Sequence, residues 1–322
     1  WDYDADTKYV YNGLAHKVEY QFSGVIGSDK VEIASASNVS AVNAGTYTAS
    51  VEGLAGEDSN NYTFGSSSKL EWRIWPKEID VEWTAGDFTY NGAPHMSAIQ
   101  KMAAAKTSDL ANGDVCEIYV NVEWEDRIYA GKHMAVAEST NSNYVVRSAT
   151  ATFEFEIKKA LIYITWDKDS LIYNGELQAP TPIIEGNQLV AGDECHFTVE
   201  GAQRNVKSSG NYVATATIDN PNYEIVASTA STAFNIIPKA ITFDWNGVNT
   251  ELTYIGEPQA PNPNAIGKVE GDEVEFTFDG MQENVGTGYV ATVTGIKGNA
   301  NYVIDWEGQP AVATVTFSIG KG

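Results

Sequence analysis

Phe234-Asn235-Ile236-Ile237-Pro238-Lys239-Ala240-Ile241-Thr242-Phe243-Asp244-Trp245, followed after a short variable turn by Thr253-Tyr254-Ile255-Gly256, is the stretch that decides the fold. One apolar-rich strand runs out at a Pro-Lys-Ala joint and another begins, because proline cannot donate to a strand ladder. The joint recurs as Ile74-Trp75-Pro76-Lys77-Glu78-Ile79 leading to Trp83, and as Ile157-Lys158-Lys159-Ala160-Leu161 leading to Trp166. Trp1 reads as the end of an opening strand, and Ile319-Gly320-Lys321-Gly322 as a closing strand with no successor. The chain is therefore expected to be a segment of a longer array.

Trp1, Trp83, Trp166 and Trp245 step by 82, 83 and 79 residues, and Tyr11, Tyr90, Tyr173 and Tyr254 by 79, 83 and 81. Shared spacing of this kind marks a repeat. It divides the chain into four expected β units, 1–77 (truncated at its start), 78–159, 160–239 and 240–322. A unit of about 80 residues buries only a small core, so contacts between neighbours should matter.

The strands alternate apolar and polar residues, as in Val274-Glu275-Phe276-Thr277-Phe278 and Val312-Ala313-Thr314-Val315-Thr316-Phe317. Alternation of this kind, rich in β-branched and aromatic types, predicts an all-β chain. Turn chemistry fills the rest: Asn-Gly at 12–13, 91–92 and 174–175, and Gly-Asp at 113–114, 192–193 and 271–272. Between them run proline-bearing crossings such as Gln178-Ala179-Pro180-Thr181-Pro182, which suit an edge rather than an interior strand. The second unit has Ser97-Ala98-Ile99-Gln100-Lys101-Met102-Ala103-Ala104-Ala105-Lys106 in that place, and its helix formers predict a short helix over 97–106.

A Gly-x-Tyr step opens a late strand at Gly45-Thr46-Tyr47 and Gly210-Asn211-Tyr212, with Gly288-Tyr289 and the histidine variant Gly131-Lys132-His133 in the other copies. A tyrosine so placed can pin a corner by bonding back to nearby backbone. Taken in order, Tyr-Asn-Gly, the crossing, Gly-Asp, Gly-x-Tyr, Asn-Tyr and Pro-Lys-Ala-Ile resemble the MBG-type and related bacterial immunoglobulin-like repeats of secreted adhesins. The resemblance covers essentially the whole chain, four times. It implies a tandem extracellular array on a bacterial surface protein and brings no catalytic residues with it. An immunoglobulin-like sandwich is the favoured strand arrangement and a β-grasp the alternative, with the units in file as an elongated rod.

Acidic residues outnumber basic ones 43 to 20, for a net charge of −23, and every unit is acidic by itself. Phosphate backbones and anionic membrane surfaces would be repelled, which excludes nucleic-acid binding. Solubility at a crowded surface is the preferred reading of this charge over cation binding. No apolar run of 18 residues occurs, so no membrane-inserting helix is expected. Cys116 and Cys195 occupy one position in successive copies and are expected to be buried, unpaired thiols.

His16 and His95 share a position that is Gln178 and Gln259 in the other copies, so a polar side chain suffices there and no metal site is expected. Asp2, Asp4 and Asp6 alternate as in a calcium loop, but Thr7 and Gly13 stand where that loop needs glycine and glutamate; a solvated turn is expected. Carboxylates are plentiful without an apolar setting, and no nucleophile–base pair recurs, so neither enzyme activity nor a cofactor is expected. Lys77, Lys159, Lys239 and Lys321 recur beside each joint and read as solvated charges rather than partners in Lys-Asn bonds. Trp83, Trp166 and Trp245 read as packing residues. Trp124 and Trp306 have no counterpart in other copies and sit among acidic residues, Trp306 near an expected hairpin tip. They are the candidate ligand contacts, since an exposed indole can stack on a sugar or anchor a protein. The expected function is a monomeric, non-enzymatic stalk or adhesin segment of an extracellular bacterial surface protein. The alternative is a carbohydrate- or mucin-binding module, and the expected partners are a host glycan, mucin or protein.

Overall fold

The computed structural model describes residues 1–4, 6, 8–168 and 171–322. The chain is all-β: among the described residues the α-helix is confined to Met96–Ile99, and the other helical pieces are three-residue 3-10 turns. Two compact units are present, Trp1–Ala160 and Leu161–Gly322.

The last sequence copy shows the pattern most completely. One sheet has the order Glu251–Thr253, Thr314–Gly320, Gly286–Ile296, Phe276–Asp279, and only its first pair is parallel. A second sheet places Lys239–Asp244 between Asn264–Ile266, antiparallel, and Tyr302–Ile304, parallel. Alternation sends one face of every strand inward, so Ile241, Phe243, Tyr302 and Ile304 of the second sheet meet Phe276 and Val293 of the first in one buried cluster.

The other copies repeat these pairings. The first orders Tyr9–Val10, Lys69–Trp75, Gly45–Ala55, Glu32–Ser37, and the second Phe88–Thr89, Thr152–Lys158, Gly131–Ser139, Ile118–Asn121, again with the opening pair parallel. In the third, Leu171–Ile172 runs parallel to Ile236–Ile237, and the closing strand is interrupted at Asn235. The backbone N–H of each landmark tyrosine extends this parallel pair, as Tyr11 to Trp75 O at 2.9 Å and Tyr254 to Gly320 O at 3.0 Å.

The recurring tryptophans are explained by one contact. The indole N–H of Trp1, Trp83, Trp166 and Trp245 donates to Ser67 O, Thr150 O, Thr229 O and Val312 O respectively, and in the last three copies this ties the end of the opening strand to the chain just before the closing strand. The Gly-x-Tyr corner forms as well: Tyr47, Tyr212 and Tyr289 hydroxyls donate to Asn43 O, Asn205 O and Asn284 O, 4, 7 and 5 residues upstream. His133 uses Nε2 against Tyr129 O at 2.8 Å in the same role.

The helix expected over 97–106 is only half formed. Met96–Ile99 is α-helical and Gln100–Met102 is a 3-10 turn, but Ala103–Ala105 is a strand antiparallel to Val81–Trp83. That is the place taken by Thr181–Ile184 and Asn264–Ile266 in later copies, and the unpaired edge of the opening strand overrides alanine's helix preference. Pro182 sits within Thr181–Ile184, a strand with a single partner, as the proline-bearing crossing leads one to expect.

Candidate functional site

Trp124 is 61% exposed at the start of the 3-10 turn Glu125–Arg127, with the Arg127 guanidinium 5.8 Å from its ring centre. Arg127 is itself held by Nε and Nη2 bonds to Val122 O, which fixes the turn beneath the indole. Trp306 is 50% exposed and rests edge-on against Phe243 at 6.1 Å. It does not stand at a hairpin tip. The strands on either side of it, Tyr302–Ile304 and Thr314–Gly320, belong to different sheets, so the segment is a crossover. Trp124 lies in the first compact unit and Trp306 in the second.

A third indole was not singled out by sequence. Trp75 is 40% exposed with the Arg73 guanidinium 3.6 Å above its ring. Its place inside the Trp-Pro-Lys joint suggested packing. The signal was the i, i+2 spacing of Arg73 and Trp75, which puts both on one face of a strand.

The shared His/Gln position is structural. His16 Nε2 meets Val10 O, Gln178 Nε2 donates to Ile172 O and Gln259 Nε2 to Thr253 O, each at 3.0 Å. His95 occupies the same position, and its buried Nε2 has no hydrogen-bond partner. Among the described residues no group of three or more His, Cys, Asp or Glu is arranged to hold a metal ion. Asp2 N–H bonds Glu19 O and Asp6 N–H bonds Asp4 Oδ1; Thr7, part of the calcium-like spacing, lies outside the described residues. Lys77 and Lys239 meet the Asn-Tyr step through backbone, their N–H groups donating to Asn143 O and Asn301 O at 2.9 Å.

Both cysteines are free, but only Cys116 is buried. In the second copy the helical run lies along the following strand, where Gln100 donates to Ile118 O and accepts from Val120 N. The third copy lacks that run and leaves Cys195 half-exposed, correcting the expectation that both are buried. Its thiol pKa is raised, first by burial and then by Asp219 and Asp193.

The most developed polar constellation joins motifs that the sequence presents as separate turns. Tyr11 of the first Tyr-Asn-Gly donates to Asp114 Oδ2 at 2.7 Å, and Tyr144 of the second Asn-Tyr donates to the same oxygen at 2.6 Å. The Tyr144 hydroxyl also accepts Ala111 N–H at 2.8 Å. Beside it Asn143 Oδ1 accepts Ala44 N–H and Asn143 Nδ2 donates to Asn43 Oδ1. Asn43 is the residue whose carbonyl the Tyr47 corner holds.

The second compact unit repeats this contact for contact. Tyr173 and Tyr302 donate to Asp272 Oδ2 at 2.7 and 2.5 Å, Val269 N–H donates to Tyr302, and Asn301 pairs with Val206 N–H and Asn205 Oδ1. The glycines of Tyr-Asn-Gly have positive φ, +79° at Gly13 and +81° at Gly175. A Cβ there would stand 3.0 Å from Ala111 Cβ and 2.8 Å from Val269 Cγ1. Glycine therefore serves both the turn and the close approach of the next copy.

Charge follows this geometry. Hydrogen bonds from Tyr11 and then Tyr144 hold the Asp114 carboxyl below its ordinary pKa, and Tyr302 and Tyr173 do the same for Asp272. Burial and the bond to Asp114 push Tyr144 up to about 12, and burial and Asp272 raise Tyr302. The site is a proton-retaining clamp with its donors already satisfied by the protein.

No protein-family model matches the chain, and no curated protein does. Among solved structures the chain is similar to the S-layer protein rSbsC(31-844), at 13% identity over 88% of this chain, with a TM-score of 0.17. The chain spans 45% of that protein's length.

Proposed function

We propose that the chain is a non-enzymatic spacer: tandem β repeats of an extracellular bacterial surface protein that hold a binding region away from its anchor. The observation that carries this reading is the Tyr-Asp-Tyr and Asn-Asn clamp between consecutive sequence copies, built the same way in both compact units. A flexible linker would need no such fixed polar contact, whereas a spacer depends on one. The strong acidity, −23, supports solubility and mutual repulsion at high surface density.

Small-angle scattering on the full chain tests the proposal. Spacer behaviour requires an extended particle at physiological salt, and an Asp114→Ala, Asp272→Ala double variant should broaden its distance distribution. A wild-type envelope like that of a single globule of 322 residues, or a profile indifferent to the double variant, would sink it.

A carbohydrate- or mucin-binding role is the second reading, favoured by the exposure of Trp124 and Trp306, 61% and 50%. Saturable binding on a glycan or mucin array, lost in Trp124→Ala or Trp306→Ala, would establish it. Binding unchanged in both variants removes these residues as the site.

A further inference from the structure

The outer face of the first copy's sheet carries two bases and an indole where the second and fourth copies carry acids. Arg73 and Trp75 lie on one face of Lys69–Trp75, and Val10, the register partner of Trp75, puts Lys8 on the same face by period-2 alternation. The Arg73 guanidinium stands 3.6 Å from the Trp75 ring centre, and Lys8 Nζ stands 5.6 Å from it. On the other flank Thr46 is directly opposite Arg73. Lys8, Thr46, Arg73 and Trp75 are all exposed.

Neither cation is neutralised from within. Among the described residues no carboxylate forms an ion pair with Lys8 or Arg73, in a chain whose acids outnumber its bases 43 to 20. Glu71 shares the face two residues from Arg73 and forms no ion pair with it. Strand register aligns Lys8, Arg73 and Trp75 with Asp87, Glu156 and Lys158 of the second copy, where Lys158 Nζ meets Asp87 Oδ1 at 2.7 Å. In the fourth copy the same positions are Glu251, Ser318 and Gly320. The fold therefore does not require two bases and an indole here, and the first copy carries them without a counter-ion.

We propose that this face binds an acidic sugar through its carboxylate. Stacking on the indole uses the flat face of the guanidinium and leaves its N–H edge free, the edge that takes a carboxylate by two parallel bonds. Lys8 adds a second charge beside the same indole. The sugar's apolar face covers the open part of Trp75, and its hydroxyls meet Thr46. A single carboxylate suits this chain, because an acidic protein or a sulfated polymer would be repelled charge by charge by a surface of net −23. The proposal rests on the carbohydrate-binding reading but moves the contact from Trp124 and Trp306 to Trp75. A shallow contact with one sugar is weak, with a Kd of about 1 mM.

NMR titration of the full chain tests this, with the Trp75 indole N–H signal assigned by its absence in Trp75→Phe. The probes are sialyllactose, a galacturonic acid oligomer, neutral lactose and a sulfated heparin oligosaccharide. One or both acidic sugars should shift the Trp75 signal saturably, and which one does so identifies the source of the carboxylate. Lactose should bind at least about tenfold more weakly. Arg73→Glu, which gives the face the second copy's charge, and Trp75→Ala should each weaken binding at least about tenfold. Arg73→Lys keeps the charge, loses the fork and should fall between. Trp124→Ala and Trp306→Ala should change nothing. Every substituted side chain is exposed, and an unchanged urea midpoint checks that each variant is folded. No saturable binding of either acidic sugar, equal binding of lactose, or tighter binding of the sulfated oligosaccharide would overturn the proposal. Sugar binding lost in Trp124→Ala or Trp306→Ala but kept in Trp75→Ala would also overturn it, while leaving the carbohydrate reading in place.

Discussion

The junction within Trp1–Ala160 and the junction within Leu161–Gly322 share the hydrogen bonds of their tyrosines, aspartate and asparagines and differ in what surrounds them. Ala44 and Ala111 at the first are replaced by Val206 and Val269 at the second, and the carboxylate of the second also feels Lys268 and Arg204. At the second junction Tyr173, Ala214 and Phe234 of one copy share a buried cluster with Phe243 and Tyr302 of the next. The polar groups set the register because their geometry is directional, whereas apolar filling tolerates a change of volume. The second junction is therefore expected to be the stronger of two that share one design.

The largest effect should come from the inserting tyrosines. Tyr144→Phe and Tyr302→Phe each leave a backbone N–H without its acceptor and an aspartate without one donor, which costs about 1–3 kcal/mol. Urea unfolding followed separately for the two compact units should show each substitution lowering the midpoint of its own unit only.

Next come the glycines. Alanine at Gly175 or Gly13 must take a left-handed backbone, a strain of roughly 1–2 kcal/mol, and must also displace its neighbour. The closer contact, 2.8 Å against 3.0 Å, makes Gly175→Ala the more harmful by urea midpoint. The reverse order would place more slack at the second junction than its valines suggest.

Asn143→Ala removes the acceptor of Ala44 N–H and the donor to Asn43, and should cost about 1 kcal/mol. Amide exchange at Ala44 should quicken, with Val206 in the other unit unchanged. Coupled exchange at both sites would mean that the two junctions do not act independently.

The smallest effect is on pH dependence. Asp114 and Asp272 have folded pKa values below the ordinary 3.8, so their contribution is present above that value and lost as pH falls through the lower folded one. The tyrosines are raised from 10.0, so theirs is complete below 10.0 and lost as pH rises, through about 12 for Tyr144. Unfolding midpoints against pH should show both limbs, and Asp272→Asn should flatten the acid limb of the second unit alone. An unchanged acid limb would remove Asp272 as its source.

Much of the architecture was legible in the residues. Period-2 alternation, the Pro-Lys-Ala joints and the Gly-x-Tyr corners are local signals, and the strands and corner bonds follow them. The half-helix at 97–106 was legible only in part, because Ala103–Ala105 answers to the open edge of Val81–Trp83 and not to its own propensity. The exposed candidates Trp124 and Trp306 were found by their acidic neighbours. Trp75 was missed, because a strand neighbour two residues away is visible only once the strand face is known.

By itself the sequence determined that the chain is built of β-strands and that one pattern is written four times, since these depend on backbone chemistry acting over a few residues. Only the tertiary structure decided that Tyr-Asn-Gly, Gly-Asp, Asn-Tyr and the residues before Gly-x-Tyr are parts of one clamp. Tyr11 and Asp114 stand 103 residues apart, and Asn43 and Asn143 stand 100 apart. Their meeting depends on how one folded copy seats against the next, and no local propensity encodes a contact at that separation.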